Sequence, residues 1–150
     1  MIRPGLCSVT FRALTPEAVI DLAARTGVAA VEWGGDTHVP PGNADLAARV
    51  RAICAERGVL PASYGSYVRA GTPGCCKDFD AVLATAEILG AGNIRVWAGT
   101  ARRDEAGEAA FADAARDLGQ MARAAEARGI TVSVEYHRNS LTEEAEDARA

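Results

Sequence analysis

The chain has 150 residues. That is enough for four strand–helix units of roughly 30 residues and part of a fifth, and too few for a complete eight-unit barrel of about 250 residues. Hydrophobic residues make up 49% and charged residues 24%, ordinary globular usage that excludes a disordered chain and makes one domain, 1–150, the expectation.

The 16 basic and 20 acidic residues give a net charge of −4. This argues against a nucleic-acid or anionic-membrane partner, which would be bound by clustered positive charge. No apolar run reaches the 18 or so residues of a membrane helix. The opening MIRPGLCSVTF carries no leader-like apolar stretch, so a cytoplasmic protein is expected.

Taken in order, the first strand is expected over Gly5–Phe11. The first helix begins at Thr15-Pro16-Glu17, a capping threonine, a proline in the first turn and an early acid, with Val19, Leu22 and Ala23 as its apolar stripe. A second strand follows over Ala29–Trp33, then a helix from about Asn43 to Arg57 with Leu46, Val50, Ile53 and Cys54 on one face. The third strand is Leu60–Tyr64, and the third helix starts at Asp78 and buries Phe79, Val82, Leu83 and Ala86. The fourth strand is Asn93–Trp97. The fourth helix is the longest, with Phe111, Ala114, Leu118, Met121 and Ala125 at helical spacing. The fifth strand is Thr131–His137. Ser140–Ala150 reads as a loop and the first turns of a fifth helix, with Thr142 as its cap.

Each alanine-rich helical block closes on a glycine, at Gly27, Gly58, Gly92 and Gly129, with spacings of 31, 34 and 37 residues. Glycine stops a helix because it enters the left-handed conformation cheaply. Strand and helix therefore alternate, and alternating strands pair in parallel with right-handed crossovers. Two architectures fit: an open five-stranded doubly wound sheet, or the first half of a (βα)8 barrel. Strand order separates them, 2-1-3-4-5 for the flavodoxin type and 1-2-3-4-5 for the half-barrel. Both place a ligand site at the carboxyl ends of the strands.

Those ends hold both tryptophans, all three tyrosines and both histidines. Carboxylates, histidines and arginines among aromatic walls suit a polar, sugar-like ligand. Glu135 shares a strand face with Ser133, opposite Val132 and Val134; at a barrel mouth such a carboxylate is costly unless paired or metal-bound, so metal ligand, general base and structural ion pair are its candidate roles. His137 points the same way. Glu32 is either a ligand-binding carboxylate or the partner of Arg95. His38, Trp33, Tyr64, Arg95, Trp97 and His137 are the candidate substrate contacts. No G-x-G-x-x-G fingerprint follows the first strand and no phosphate loop is present, which disfavours a nucleotide-binding sheet. A receiver-like domain lacks its aspartate at the third strand. The cysteines, at 7, 54, 75 and 76, form no C-x-x-C pair; adjacent Cys75 and Cys76 make a poor pair for one metal, and reduced thiols are expected.

Together, VEWGGD (31–36), ASYGSY (62–67), IRVWAG (94–99) and above all VSVEYHRNSLT (132–142) resemble the sugar phosphate isomerase/epimerase group of the xylose isomerase-like TIM barrels. The resemblance implies an α/β fold of parallel strand–helix units that forms the first half of a TIM (βα)8 barrel. It implies that Glu135 ligates a divalent metal ion (Mn, Mg, Co or Zn) and serves in proton transfer. The other ligands of the family come from later strands, so the length reads as a truncation. The implied reaction is proton abstraction beside a carbonyl through an enediolate, on a small-molecule sugar or sugar phosphate. Against it stands a non-catalytic half-barrel that binds a ligand or pairs through its exposed strand edges as a homo-oligomer. An endonuclease IV-like nuclease is less favoured, since the third and fourth strand ends carry no histidine.

Overall fold

The computed structural model describes residues 3–147. Its elements are β1 (Gly5–Cys7), α1 (Pro16–Thr26), β2 (Ala30–Gly34), α2 (Ala44–Arg57), β3 (Leu60–Ala70), α3 (Cys75–Leu89), β4 (Asn93–Ala98), α4 (Arg103–Glu126) and β5 (Thr131–Val134). All strand pairings are parallel, and the order is β1-β2-β3-β4-β5. That order excludes the flavodoxin-type sheet and matches the first half of a TIM barrel.

The helices start and stop largely as their end residues dictate. Thr15 accepts the Ala18 N–H ahead of Pro16 in α1, and Asn43 caps Leu46 in α2. The third helix differs from expectation at both ends. It begins at Cys75, three residues before Asp78, because Gly74 starts it without any side-chain cap. It closes on Gly90, whose φ of 79° makes it the left-handed residue in place of Gly92. In α4 the backbone breaks at Gly107 (φ 75°, ψ 167°), so the long helix is two pieces joined at a kink.

Three strands differ in length from the sequence reading. β1 stops at Cys7 because Ser8–Phe11 form a 3-10 turn, which buries Ser8 so that its Oγ accepts the Gly34 N–H at 2.9 Å. β3 runs on to Ala70. Gly65 pairs with Arg95 but Arg69 pairs with Trp97, so four steps on β3 oppose two on β4. This bulge is fastened by the Ser66 hydroxyl donating to the Arg95 carbonyl at 2.7 Å. β5 ends at Val134, which places Glu135 and His137 in the following loop. The fifth helix is not seen among the described residues: 140–146 are turns and bends, 147 has 3-10 geometry, and 148–150 lie outside them.

Side chains alternate across each strand, and the two faces differ. One face carries Val31, Trp33, Tyr64, Ile94 and Val96, all buried under the helices against Ile20, Val50, Leu83, Ala86 and Met121. The other carries Glu32, Ser63, Asn93, Arg95 and Ser133, joined by polar contacts. Parallel sheets are ordinarily covered on both faces. Here helices cover one, and the polar face is partly open to solvent.

Candidate active site

The polar face gathers charge at the carboxyl ends of β2, β4 and β5. Arg95, with 12% of its side chain exposed, lies between two carboxylates: its NH1 is 3.0 Å from Glu135 Oε2 and its NH2 3.4 Å from Glu32 Oε1. NH1 also donates to the Ser66 carbonyl at 3.1 Å, so the β3 bulge orients the guanidinium. Gly65 makes room for this arrangement. A Cβ there would stand 2.7 Å from Arg95 NH2 and 3.0 Å from Glu32 Oε1. The Cys7 thiol donates to Glu32 at 3.4 Å, and burial pushes that thiol up from its ordinary pKa.

Trp97 supplies the second hold on Glu135, its indole N–H donating to Oε2 at 2.7 Å. The indole is itself enclosed. The Arg69 guanidinium lies 4.5 Å from its ring centroid, the His137 ring 4.4 Å away, and Tyr67 meets it edge-on at 5.1 Å. The loop after β5 is pinned as well: Thr142 donates to the Glu135 carbonyl, Ser140 to the His137 carbonyl, and Arg69 NH1 to the Gly99 and Asn139 carbonyls. Glu135 Oε1 has no hydrogen-bond partner among the described residues, and the side chain is 39% exposed.

A second cluster lies at the ends of β1 and β2. Arg12 bonds Asp36 at 2.5 Å, Thr37 at 2.7 Å and the Tyr67 hydroxyl at 3.0 Å. Burial pushes the Asp36 carboxyl up, but the hydrogen bonds from Arg12 and Tyr67 outweigh it and hold its pKa below the usual carboxylate value.

Four sequence-predicted site residues, Glu135, Arg95, Trp97 and His137, therefore come together on the open face. The other three do not. Trp33 and Tyr64 are fully buried on the helix-covered face, and His38 is 2% exposed. The Tyr64 hydroxyl donates to the Val39 carbonyl at 2.5 Å, and burial raises its pKa well above the ordinary phenol value. The His38 ring meets Trp33 edge-on at 6.1 Å, with Nε2 3.2 Å from the Leu14 carbonyl. None of these three reaches the open face: Trp33 and Tyr64 pack between sheet and helices, and His38 is buried against Trp33. The sequence reading did not single out Arg12, Tyr67 or Arg69. The signal for the last two was the polar run SYVRA (66–70), long enough for a bulged strand to carry onto the open face.

Glu135 fits the position of a metal-ligating carboxylate, with one oxygen oriented by Trp97 and Arg95 and the other clear. Hydrogen bonding of this kind is how neighbours aim a ligand at an ion. Glu32 is already engaged by Arg95 and Cys7. Among the described residues, the open face thus offers one ligand, whereas a bound divalent ion needs several.

The geometry defines a parallel α/β sheet with its polar site at the strand ends of a partial ring. A family model described as "Xylose isomerase-like TIM barrel" matches residues 20–150, and the chain belongs to that family. Solved structures share the fold at low identity. The probable 3-DHS dehydratase AsbF from Bacillus anthracis superposes with a TM-score of 0.82 at 14% identity, covering 99% of this chain and 57% of that one. A D-allulose 3-epimerase from Methylomonas sp. gives 0.76 at 13%, covering 99% and 57%. A xylose isomerase domain protein from Salmonella typhimurium gives 0.74 at 18%, covering 92% and 51%. The chain thus spans just over half the length of these structures. No curated protein matches it. Among the described residues, no helix is long and apolar enough to cross a membrane.

Proposed function

We propose that the chain supplies the N-terminal half of a sugar or sugar-phosphate isomerase or epimerase. One observation carries the reading: Glu135 stands just past β5 on the open face, with Oε2 fixed by Trp97 and Arg95 and Oε1 clear. An ionised carboxylate held in this way is equipped to take a proton from the carbon beside a carbonyl. The C–H electron pair then forms the double bond of an enediolate, and a second carboxylate outside this chain returns a proton to the opposite face. Glu135 would hold a divalent ion (Mn, Mg, Co or Zn) together with ligands from the other half; when bound, such an ion polarises the carbonyl and stabilises the developing charge. Trp97, enclosed by Arg69, Tyr67 and His137, serves to hold Glu135 rather than to present a stacking face. The D-allulose 3-epimerase among the structural neighbours supports the substrate class.

The test begins with the reading frame past Ala150. An aspartate, a histidine and a glutamate at further strand ends would support the proposal, and a stop codon would sink the single-chain mechanism. In the longer protein, Glu135→Gln should abolish epimerisation of keto sugars with Mn²⁺ or Mg²⁺; unchanged turnover would remove Glu135 from the mechanism.

A second reading rests on the open sheet edges. Among the described residues β1 pairs only with β2, and β5 only with β4. A non-catalytic half-barrel that pairs edge to edge would then be an oligomer. Light scattering from the isolated chain tests it, and a monodisperse monomer counts against it.

A further inference from the structure

Away from the Glu135 cluster, two cysteines and an aspartate meet where the turn after β3 packs on α4. The turn Gly71-Thr72-Pro73-Gly74 has two left-handed glycines, Gly71 (φ 84°) and Gly74 (φ 81°), and delivers the chain into the first turn of α3 at Cys75. Gly71 lies so close to α4 that an added Cβ would stand 3.1 Å from the backbone of Ala114. This contact brings Asp117 of α4 over the start of α3. Asp117 Oδ2 accepts the Gly71 N–H and the Cys75 thiol, each at 3.1 Å, and Oδ1 faces Arg116 at 3.4 Å. The Sγ atoms of Cys75 and Cys76 and a carboxylate oxygen of Asp117 all lie within 4.8 Å of one another. The cavity beside them measures about 330 Å³ and is walled by these residues, the glycine turn and Asp113.

We propose that Cys75, Cys76 and Asp117 form a binding site for one thiophilic divalent cation of the Zn²⁺ or Cd²⁺ kind. Soft thiolate donors select such ions over Mg²⁺ and Ca²⁺. Metal–sulfur bonds of about 2.3 Å in a tetrahedral site require ligand atoms roughly 3.8 Å apart. The side chains therefore need to close in by only about 1 Å. The ion takes the place of the thiol proton now shared between Cys75 and Asp117, and both cysteines lose their protons to solvent on binding. The three ionised ligands then carry three negative charges, which the divalent ion and Arg116 cancel. Solvent fills the fourth position from the cavity. In the sequence, adjacent Cys75 and Cys76 read as a poor pair for one metal. In the first turn of α3, with Asp117 arriving from another helix, the three donors nevertheless converge. This site shares no residue with the Glu135 cluster and does not depend on the isomerase reading.

The reduced, chelator-treated chain is titrated with Cd²⁺ in excess Mg²⁺, following the ultraviolet thiolate-to-cadmium charge-transfer band. The band should saturate at one equivalent and yield to Zn²⁺ in competition. It should vanish in Cys75→Ser and in Cys76→Ser, weaken in affinity about 10-fold or more in Asp117→Asn, and persist in Cys7→Ser. Circular dichroism reports folding. If buried Cys75→Ser does not fold, the half-buried Cys76→Ser decides. No band in the folded wild type, a band undiminished in Cys76→Ser, or a band that depends on Cys7 would each overturn the site.

Discussion

Trp97 and Glu135 sit on neighbouring strand ends, and the indole N–H of one donates to the carboxylate of the other at 2.7 Å. A hydrogen bond to a charged group is worth about 1.5–3 kcal/mol when buried. Glu135 keeps 39% exposure, so Trp97→Phe should cost nearer 1 kcal/mol. Urea unfolding with an unchanged m-value checks this. On the proposed role of Glu135 in proton transfer, the same change in the longer protein should lower kcat more than it raises KM.

Arg95 is the only cation contacting Glu32 and Glu135 among the described residues. Removing one partner of a fully buried pair costs about 3–5 kcal/mol. Both carboxylates here retain water, and roughly 1–2 kcal/mol is expected for Arg95→Met. Adding Glu32→Gln and Glu135→Gln should restore most of the loss. A triple variant no more stable than Arg95→Met would show that the guanidinium acts through packing instead.

Gly65 tests the same cluster from the backbone side. Gly65→Ala puts a methyl carbon 2.7 Å from Arg95 NH2, which forces the side chain off its carboxylates at a cost of about 1–3 kcal/mol. In an Arg95→Met background the penalty should shrink. An equal penalty in both backgrounds would assign the strain to the strand.

Tyr64→Phe leaves the buried Val39 carbonyl without its donor. The expected loss is about 1–3 kcal/mol, seen as a lower denaturant midpoint. The effect should be on stability alone, because Tyr64 lies on the helix-covered face. A change in ligand affinity at full folding would return Tyr64 to the site.

Asp36 sets a pH dependence. Its folded pKa is depressed below the ordinary carboxylate value, with burial opposing and hydrogen bonds from Arg12 and Tyr67 prevailing. Its contribution to stability is therefore full above the ordinary carboxylate range and is lost as pH falls through the lowered folded pKa. Wild type should exceed Asp36→Asn in thermal stability at neutral pH, and the gap should close in acid. A gap that stays constant with pH would contradict the linkage.

The alternation of elements was legible because it is written locally: Thr15, Asn43, Gly27 and Gly58 cap helices through their own backbone needs. Strand order was not, since it depends on contacts between residues some 30 positions apart. The site was half legible for a related reason. Glu135 was placed on the open face by its alternation with Val132 and Val134. Trp33 and Tyr64 were grouped with it by their position at strand ends, although each lies one residue from a neighbour on the polar face, and one step along a strand turns a side chain to the other face. The bulge at Ser66–Arg69 left no mark in periodicity, so Tyr67 and Arg69 emerged only once β3 was paired with β4.

Below the Glu32–Arg95–Glu135 layer, Asn93 Nδ2 bonds Ser63 at 3.0 Å and Ser133 at 2.9 Å, while the Thr131 hydroxyl reaches Asn93 Oδ1 at 3.0 Å. A barrel interior is commonly filled at this level by branched hydrocarbon. A ring closed over these small polar side chains encloses hydrogen-bonding groups instead. Its unfolding exposes less apolar surface from the lumen, so calorimetry of the completed protein should find a heat-capacity increment below the usual 12–15 cal/mol/K per residue, and a flatter stability curve with temperature.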